Sequence, residues 1–199
     1  MDEVDKTVKA YEEIKEDFLE HNSKFDMTPE IKEFCEFLSD KNVLDIGCGP
    51  GRDSKVFVEL GYNTRGIDFT PSFVKMAQEN VPSGKFLHMD MRHLEFADEE
   101  FDGIWCSASF IHIPKREALA TLKGFYRVLK NKGALFIGVQ KGDGEGWMDK
   151  FGKERFYAFY QEEELQKLLE SVGFVVKATH NKKGNYDWIN MIAVKAPTS

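Results

Sequence analysis

The sequence has few cysteines and no long apolar run. Its three cysteines, Cys35, Cys48 and Cys106, are widely spaced, so neither a disulfide framework nor a zinc site is indicated. No apolar stretch reaches the length of a membrane-spanning helix, and the chain begins Met-Asp-Glu-Val-Asp rather than with a basic segment ahead of an apolar one. We therefore expect a cytoplasmic protein with no membrane association and no metal.

Basic residues are also in deficit. The 199 residues include 27 Lys and Arg against 34 Asp and Glu, which gives a net charge of −7. A protein that binds nucleic acid through its phosphates carries a basic face, so we expect no nucleic-acid partner. Lysines at 123–132 and 182–183 could form a local patch, but a solvated helix face and a turn explain them more simply.

Two phosphate-binding motifs are missing. No G-x-x-x-x-G-K-[ST] occurs, which excludes a P-loop. The glycine-rich turn at 47–52 has Arg52 at the position where the dinucleotide fingerprint G-x-G-x-x-G has its third glycine. We therefore predict that the chain does not bind NAD.

What the sequence does contain is an apolar strand, 43–46, that runs straight into glycines at 47, 49 and 51. Glycine adopts positive φ without a steric penalty and lets a ligand approach the backbone closely. Asp68 ends the next apolar strand, where its carboxylate could accept hydrogen bonds from both hydroxyls of a ribose. A plain structural turn would explain the glycines alone, but together with Asp68 they indicate a nucleoside-containing cofactor.

The apolar periodicity predicts helices first and then an alternation of strands and helices. Two helices, over about 4–18 and 28–39, precede the first strand. The alternation from Asn42 onward predicts a doubly wound, mainly parallel α/β sheet. The segment 90–100 is acidic and short, so we expect an irregular connection there, and 174–194 reads as a hairpin whose last strand is antiparallel.

From Val43 to Val194 the chain resembles the class I S-adenosylmethionine-dependent methyltransferases of small-molecule type. The resemblance is carried by the glycine motif at 45–51, Gly66-Ile67-Asp68, Met89-Asp90-Met91, the strand 101–106 and the segment 127–135. It implies a seven-stranded sheet with an antiparallel C-terminal strand, preceded by N-terminal helices. It also implies S-adenosyl-L-methionine as cofactor. The length and the lack of a composition break predict one domain over 1–199, which we divide into a helical cap at 1–41 and a Rossmann-like core at 42–199.

The resemblance also implies a set of cofactor-binding residues: Tyr11, Asp45, Gly47, Cys48, Gly49, Gly51, Arg52, Asp68, Phe69, Asp90, Met91 and Cys106. At the adenosine end, Asp68 would hold the ribose, and Asp90 and Met91 would meet the adenine amino group and ring. Phe69 could cover the adenine face or be a plain core residue. For Asp90 and Asp45, both at strand ends, the alternative is a carboxylate that only caps a loop amide.

At the amino-acid end of the cofactor, Arg52 could pair with the methionine carboxylate through its planar fork. A surface arginine is the alternative, because the helix dipole does not favour a cation at a helix N-terminus. The loop 106–108 would offer a backbone carbonyl to the ammonium group. Tyr11 resembles a tyrosine that closes over the cofactor, although its place on an apolar stripe fits burial equally well.

His112 is the candidate catalytic residue. If the acceptor is a hydroxyl or a protonated amine, a base has to take its proton, and His112 follows the fourth strand, where the family frequently has a histidine. Such a base would give a pH dependence near neutrality. A histidine that only hydrogen-bonds at the start of the next helix is the alternative. The aromatic residues of 147–160 predict either a mobile lid over the acceptor or a satellite core.

With no basic face and no appended recognition domain, the sequence favours methyl transfer to a small-molecule acceptor. A protein or nucleic-acid methyltransferase is the alternative among enzymes. The segment 106–109 lacks an Asn-Pro-Pro-Tyr-like motif, which argues against methylation of adenine or glutamine. A non-enzymatic S-adenosylmethionine-binding regulatory protein is the third possibility, and the sequence indicates no oligomeric state.

Overall fold

The computed structural model describes residues 1–196. The strands are β1 (Asn42–Ile46), β2 (Asn63–Asp68), β3 (Lys85–His88), β4 (Phe101–Ser107), β5 (Leu129–Gln140), β6 (Glu145–Lys150), β7 (Lys153–Ala158), β8 (Phe174–Lys182) and β9 (Trp188–Lys195). The helices are α1 (Glu3–Glu13), α2 (Lys15–Asn22), α3 (Thr28–Cys35), α4 (Arg52–Glu59), α5 (Pro71–Asn80), α6 (Lys115–Val128) and α7 (Glu162–Val172), with a 3₁₀ turn at Phe110–His112.

Seven strands form a mixed sheet in the order β3-β2-β1-β4-β5-β9-β8. The pairs from β3 to β5 are parallel, and β9 is antiparallel to both β5 and β8. This confirms the predicted doubly wound α/β sheet and its antiparallel final strand. Because the carboxyl ends of β1, β2 and β4 meet at one edge, the loops that follow them are brought together there.

Successive residues of the central strands face opposite sides of the sheet, as the pleat requires. Val43, Trp105 and Phe136 lie on one side in a cluster with α3 and α4, and the Trp105 and Phe136 rings stack with centroids 3.7 Å apart. Leu44 and Ile104 lie on the other side, in the larger cluster that includes α6 and α7. Both faces of the sheet are thereby covered.

The N-terminal region differs from the prediction, because three helices precede the sheet rather than two. The apolar stripe over 4–18 is interrupted at Ile14, where φ is −108° and ψ is 14°. The break lets α1 pack on β7 while α2 leads towards the glycine turn, where Asn22 accepts a hydrogen bond from Arg52. Helix α3 also ends earlier than expected, because its last turn tightens into i to i+3 hydrogen bonds at Glu36 and Phe37.

A second, two-stranded sheet lies where the sequence suggested a lid or a satellite core. Strands β6 and β7 pair in antiparallel register around Phe151 and Gly152, which have φ of 61° and 71°, as the two central residues of a type I′ turn do. The Phe156 amide donates to the Thr7 hydroxyl at 3.0 Å, which ties β7 to α1. Phe156 and Tyr157 join the main core, whereas Trp147 and Phe151 remain about 40 % exposed.

The connection between β3 and β4 is irregular, as predicted, since 90–100 forms only turns and bends. Within residues 1–196, no helix combines the length and the apolar character needed to cross a membrane. Over the same residues, no three histidine, cysteine, aspartate or glutamate side chains are grouped so that they could hold a metal ion.

Candidate functional site

A cavity of about 770 Å³ opens at the carboxyl ends of β1, β2 and β4. This volume lies within the range typical of small-molecule sites. Its floor is the glycine turn and the loops after β2 and β4, and its roof comes from α1, α2, the β6-β7 hairpin and the turn 182–186. Ten of the predicted cofactor residues line it, namely Tyr11, Asp45, Gly47, Cys48, Gly49, Arg52, Asp68, Phe69, Asp90 and Met91, and so does the predicted catalytic residue His112.

Gly47 and Gly49 hold the turn in a conformation that other residues rarely adopt, with φ of 70° and 53°. The amides of Gly47 and Cys48 both donate to the Ile67 carbonyl, at 2.8 and 3.0 Å, which anchors the turn to the end of β2. A Cβ on Gly47 would come within 2.3 Å of Ser109 Cβ. The buried Ser109 hydroxyl donates to the Ile46 carbonyl at 2.8 Å, so it has no freedom to move aside.

We expect Gly47→Ala to lower the free energy of unfolding by about 2 to 4 kcal/mol, because it combines a left-handed backbone with a steric clash. Urea denaturation measures the change. Gly146→Ala is the matched control, since a Cβ at Gly146 meets nothing within 4 Å. Equal stability of the two variants would contradict the close approach to Ser109.

Asp68 presents its carboxylate to the cavity from the end of β2. One oxygen accepts from the Gly49 amide at 2.9 Å and the other from the Thr70 amide at 2.8 Å. Burial raises the pKa of Asp68, while these amide hydrogen bonds act in the opposite direction. The carboxylate is therefore fixed in orientation beside the glycine turn and keeps lone pairs for a ligand.

Asp45 lies deeper, at the end of β1, and is 2 % exposed. It accepts a hydrogen bond from the Ser54 hydroxyl at 2.6 Å. Burial, reinforced by the nearby Asp53, raises the pKa of Asp45 above its usual range. A cationic ligand group beside Asp45 would favour its ionised form.

Gly51 and Cys106 do not line the cavity, unlike the other residues of the predicted cofactor set. Gly51 precedes α4 with φ of 89° and packs against Ala77 and Val81. The buried thiol of Cys106 lies 3.1 Å from the Ser109 hydroxyl, and burial raises its pKa to about 12. The cavity wall next to Cys106 is formed by residues 107–109, which span the end of β4 and the start of the loop that follows it.

Arg52 lines the cavity, but its planar fork is already engaged. Nε and Nη2 donate to the two carboxylate oxygens of Asp53 at 2.6 and 3.0 Å, and Nη1 donates to Asn22 Oδ1 at 2.7 Å. Asp53 also accepts from the Trp105 indole at 2.9 Å. A ligand carboxylate would have to share Arg52 with Asp53, so the structure shows no free fork at the position we predicted for one.

The opposite end of the cavity is lined by Phe69, Asp90 and Met91. The Phe69 ring stacks on His88, with centroids 5.3 Å apart. The Asp90 carboxylate is held by Arg92, whose Nε lies 2.8 Å and whose Nη2 lies 2.7 Å from Oδ2. Together these residues make an apolar slot with an acidic edge.

Tyr11 and His112 meet over the cavity although they lie 101 positions apart in the chain. The Tyr11 hydroxyl is 2.9 Å from His112 Nε2, and His112 Nδ1 is 2.6 Å from the Phe156 carbonyl oxygen. A carbonyl oxygen only accepts, so Nδ1 carries the proton, and in the neutral ring the Tyr11 hydroxyl donates to Nε2. Both ring nitrogens of His112 are thus bonded within the chain, and its basic nitrogen faces Tyr11.

Burial lowers the pKa of His112 to about 3, with a contribution from the charges of Arg155 and Lys150. With this pKa the imidazole is neutral near pH 7, so a pH dependence that comes from His112 is expected well below neutrality. The ring accepts a proton only from a donor that is itself strongly acidic.

The neutral state of His112 also predicts a pH effect on stability. Between pH 6.5 and about 3 the unfolded chain binds a proton at this histidine that the folded chain does not, so stability falls as the pH is lowered through that window. We expect a loss of about 2 kcal/mol from this group between about pH 7 and about pH 5. Urea denaturation of His112→Gln at the two pH values should show a smaller loss than the wild type. His93→Gln, on an exposed side chain, should match the wild type.

Arg155 and Lys150 also line the cavity from the β6-β7 hairpin, beside Tyr157, and the sequence did not predict these two cations. The aromatic residues of 147–160 predicted a lid or a satellite core in this segment. Lys150 and Arg155 lie among other charged residues there, which is typical of an exposed surface. Arg155 is only 2 % exposed, because α1 and the hairpin close over it.

Known proteins that are similar to this chain in sequence are methyltransferases. Residues 43–133 match the family described as a methyltransferase domain. A 2-methyl-6-phytyl-1,4-hydroquinone methyltransferase of Synechocystis is 30 % identical over 132 residues, covering 64 % of this chain and 39 % of the relative. The phosphoethanolamine N-methyltransferase of Plasmodium falciparum is 29 % identical over 178 residues, covering 85 % of this chain and 67 % of the relative.

Among solved structures, the fold matches the 1,6-didemethyltoxoflavin-N1-methyltransferase of Burkholderia thailandensis with bound 1,6-didemethyltoxoflavin and S-adenosylhomocysteine. The TM-score is 0.77 at 22 % identity, covering 95 % of this chain and 88 % of that one. Several curated relatives are much longer, and this chain spans about two fifths of their length.

Proposed function

Because the chain belongs to the class I S-adenosylmethionine-dependent methyltransferase family, we propose that it transfers a methyl group from S-adenosylmethionine to a small-molecule acceptor. The observation that carries the proposal is the Asp68 carboxylate, fixed by the Gly49 and Thr70 amides beside the glycine turn. It lines the same cavity as the Tyr11–His112 pair. The cavity therefore has a carboxylate suited to a ribose, Asp68, and a Tyr11–His112 pair suited to an acceptor that carries a proton.

The residues present fit this cofactor. The turn at Gly47 has no room for a side chain, which keeps the backbone close to the cavity. Asp68 supplies acceptors for a ribose, and Phe69 and Met91 supply an apolar slot for a base. S-Adenosylmethionine, when bound, supplies a methyl group on a sulfonium sulfur, and an acceptor atom takes that methyl in an in-line displacement that leaves S-adenosylhomocysteine.

The amino-acid end of the cofactor would lie near Asp45 and the loop 107–108. Asp45 is a buried acidic group on this side, so an ammonium group there would be matched by charge. The Arg52 guanidinium is bonded to Asp53, so it would approach the cofactor carboxylate as part of that ion pair.

We assign the acceptor's proton to the Tyr11–His112 pair. The Tyr11 oxygen lines the cavity between His112 and the side chains of Arg155 and Tyr157, and it can accept a hydrogen bond from an acceptor O–H or N–H. As the new bond to the methyl carbon forms, that proton becomes strongly acidic. It can then pass to Tyr11 oxygen while the phenolic proton moves to His112 Nε2. His112 acts through Tyr11 in this scheme and is a positioning residue.

The roof of the cavity supports a small acceptor. Helix α1, the hairpin and the turn 182–186 all line the cavity from the side away from the sheet, which leaves little space for a folded protein or a duplex. The names of the relatives point the same way, since a hydroquinone, phosphoethanolamine and a toxoflavin precursor are all small molecules.

Two measurements test the proposal. Calorimetry should show binding of S-adenosylmethionine and S-adenosylhomocysteine and none of NAD, and tighter binding of NAD would reject the assignment of the cavity. Incubation with S-adenosylmethionine and a panel of small metabolites should then yield S-adenosylhomocysteine. Cofactor binding without turnover on any acceptor, including peptides and oligonucleotides, would favour a non-enzymatic binding protein.

A further inference from the structure

Arg155 is a buried cation with unsatisfied hydrogen-bonding groups. It lies on β7, is 2 % exposed and lines the cavity. Its Nε and Nη2 atoms have no hydrogen-bond partner among residues 1–196. Buried arginines are ordinarily paired, because removing a charge from water without a partner is strongly unfavourable.

The groups that surround the Arg155 guanidinium are aromatic. Its Cζ lies 4.7 Å from the centroid of the Tyr11 ring and 5.7 Å from the centroids of Tyr157 and Phe151. Such rings attract a cation through their faces. The Tyr11 hydroxyl also lies within hydrogen-bonding reach of the guanidinium, but among residues 1–196 the edge formed by Nε and Nη2 meets no acceptor.

Lys150 brings a second cation to the same part of the cavity. Its ammonium lies 4.7 Å from the Tyr157 ring centroid and 4.0 Å from that of Tyr186. Burial and the charge of Arg155 lower the pKa of Lys150 to about 8. Two cations held this close together in a partly dry cavity repel one another, and an anion between them would relieve the repulsion.

The position of Arg155 in the cavity indicates which ligand would carry the anionic group. Arg155 lies against the Tyr11 ring, and the Tyr11 hydroxyl bonds to His112. This is the part of the cavity that we assign to the acceptor, under the hairpin roof.

We propose that the acceptor carries an anionic group, a carboxylate or a phosphate, which Arg155 binds through its planar fork with Lys150 beside it. This inference rests on the proposed methyl transfer and specifies its substrate class. Carboxylate and phosphate share the geometry that a guanidinium binds with two parallel hydrogen bonds.

Calorimetry on the protein loaded with S-adenosylhomocysteine tests the site, with inorganic phosphate, benzoate and benzamide as probes at constant ionic strength. We expect benzoate or phosphate to bind and benzamide, which matches benzoate in shape without its charge, not to bind. The probe that binds tells carboxylate from phosphate. Arg155→Met should weaken that binding by about 10- to 100-fold. Arg116→Met is the matched control, since Arg116 is exposed, pairs with Glu3 and lies outside the cavity.

Folding and cofactor binding are measured on the same variants. The melting temperature of Arg155→Met should equal or exceed that of the wild type, because an unpaired buried charge is removed. Arg155→Lys should retain part of the anion affinity. Weaker binding of S-adenosylhomocysteine in Arg155→Met, with anion binding unchanged, would assign Arg155 to the cofactor and overturn the inference. Equal anion binding by variant and wild type would also overturn it.

Different results would reject the anionic acceptor and the methyltransferase activity. Methyl transfer to neutral acceptors with an unchanged KM in Arg155→Met would reject the anionic acceptor and leave the methyltransferase assignment intact. Anion binding that depends on Arg155, in a protein that methylates nothing, would leave the anion site in place and reject the methyltransferase assignment.

Discussion

Tyr11→Phe is expected to lower kcat by about two to four powers of ten, because it removes the hydroxyl that links His112 Nε2 to the acceptor's proton in the proposed scheme. The dissociation constant of S-adenosylhomocysteine should stay close to that of the wild type. The phenyl ring keeps its edge contacts with Phe18 and Phe73, at centroid distances of 5.2 and 5.9 Å. The measurement pairs single-turnover rates with cofactor calorimetry, once an acceptor is known.

Tyr62→Phe is the matched control for this variant, since Tyr62 packs on Phe57 outside the cavity. Its turnover should equal that of the wild type. His112→Gln should lower kcat by a similar factor as Tyr11→Phe, and the double variant should lose little more, because the two residues act as one unit. Wild-type turnover in a folded Tyr11→Phe protein would show that methyl transfer needs only alignment of the reactants.

Asp68→Ala should weaken the binding of S-adenosylmethionine and S-adenosylhomocysteine by about one to two powers of ten. Hydrogen bonds to a charged group contribute about 1.5 to 3 kcal/mol each, and water replaces part of that loss. Calorimetry at a fixed salt concentration measures the effect.

Asp68 also bonds to the Gly49 and Thr70 amides, so the alanine variant could loosen the turn itself. Asp68→Asn keeps an acceptor of the same shape without the charge and separates the two effects. Asp98→Ala is the control, because that carboxylate pairs with Arg127 on the surface. An unchanged dissociation constant in both Asp68 variants, with a normal melting temperature, would remove Asp68 from the cofactor site.

The parts of the site that the sequence predicted are those whose position follows from local structure. Gly47 and Gly49 lie in the turn after β1 and Asp68 is the last residue of β2, and the ends of neighbouring parallel strands meet at one edge of a sheet. Their place in the cavity therefore needs only the strand order. Cys106 lies one residue before the cavity wall, which begins at Ser107, the last residue of β4.

The parts that could not be predicted depend on contacts between distant segments. The burial of Arg155 requires that α1 pack on a hairpin about 150 positions away, as the bond from Phe156 to Thr7 shows. In the sequence Arg155 follows Lys153 and Glu154, and three charged residues in a row are typical of a solvent-exposed turn. The hydrogen bond between His112 and Tyr11 could not be predicted either, because Tyr11 lies on an apolar stripe that fits ordinary core packing.

Arg155 and His112 both contact Tyr11, one at its ring and the other at its hydroxyl. The unpaired positive charge of Arg155 is among the causes that keep the imidazole a weak base. An anion on Arg155 cancels that charge, so an acceptor of the proposed kind strengthens the very base that receives its proton. A neutral molecule of the same shape would meet the weaker base. Discrimination between the two would then appear in the rate of the chemical step as well as in affinity, a form of substrate-assisted selectivity.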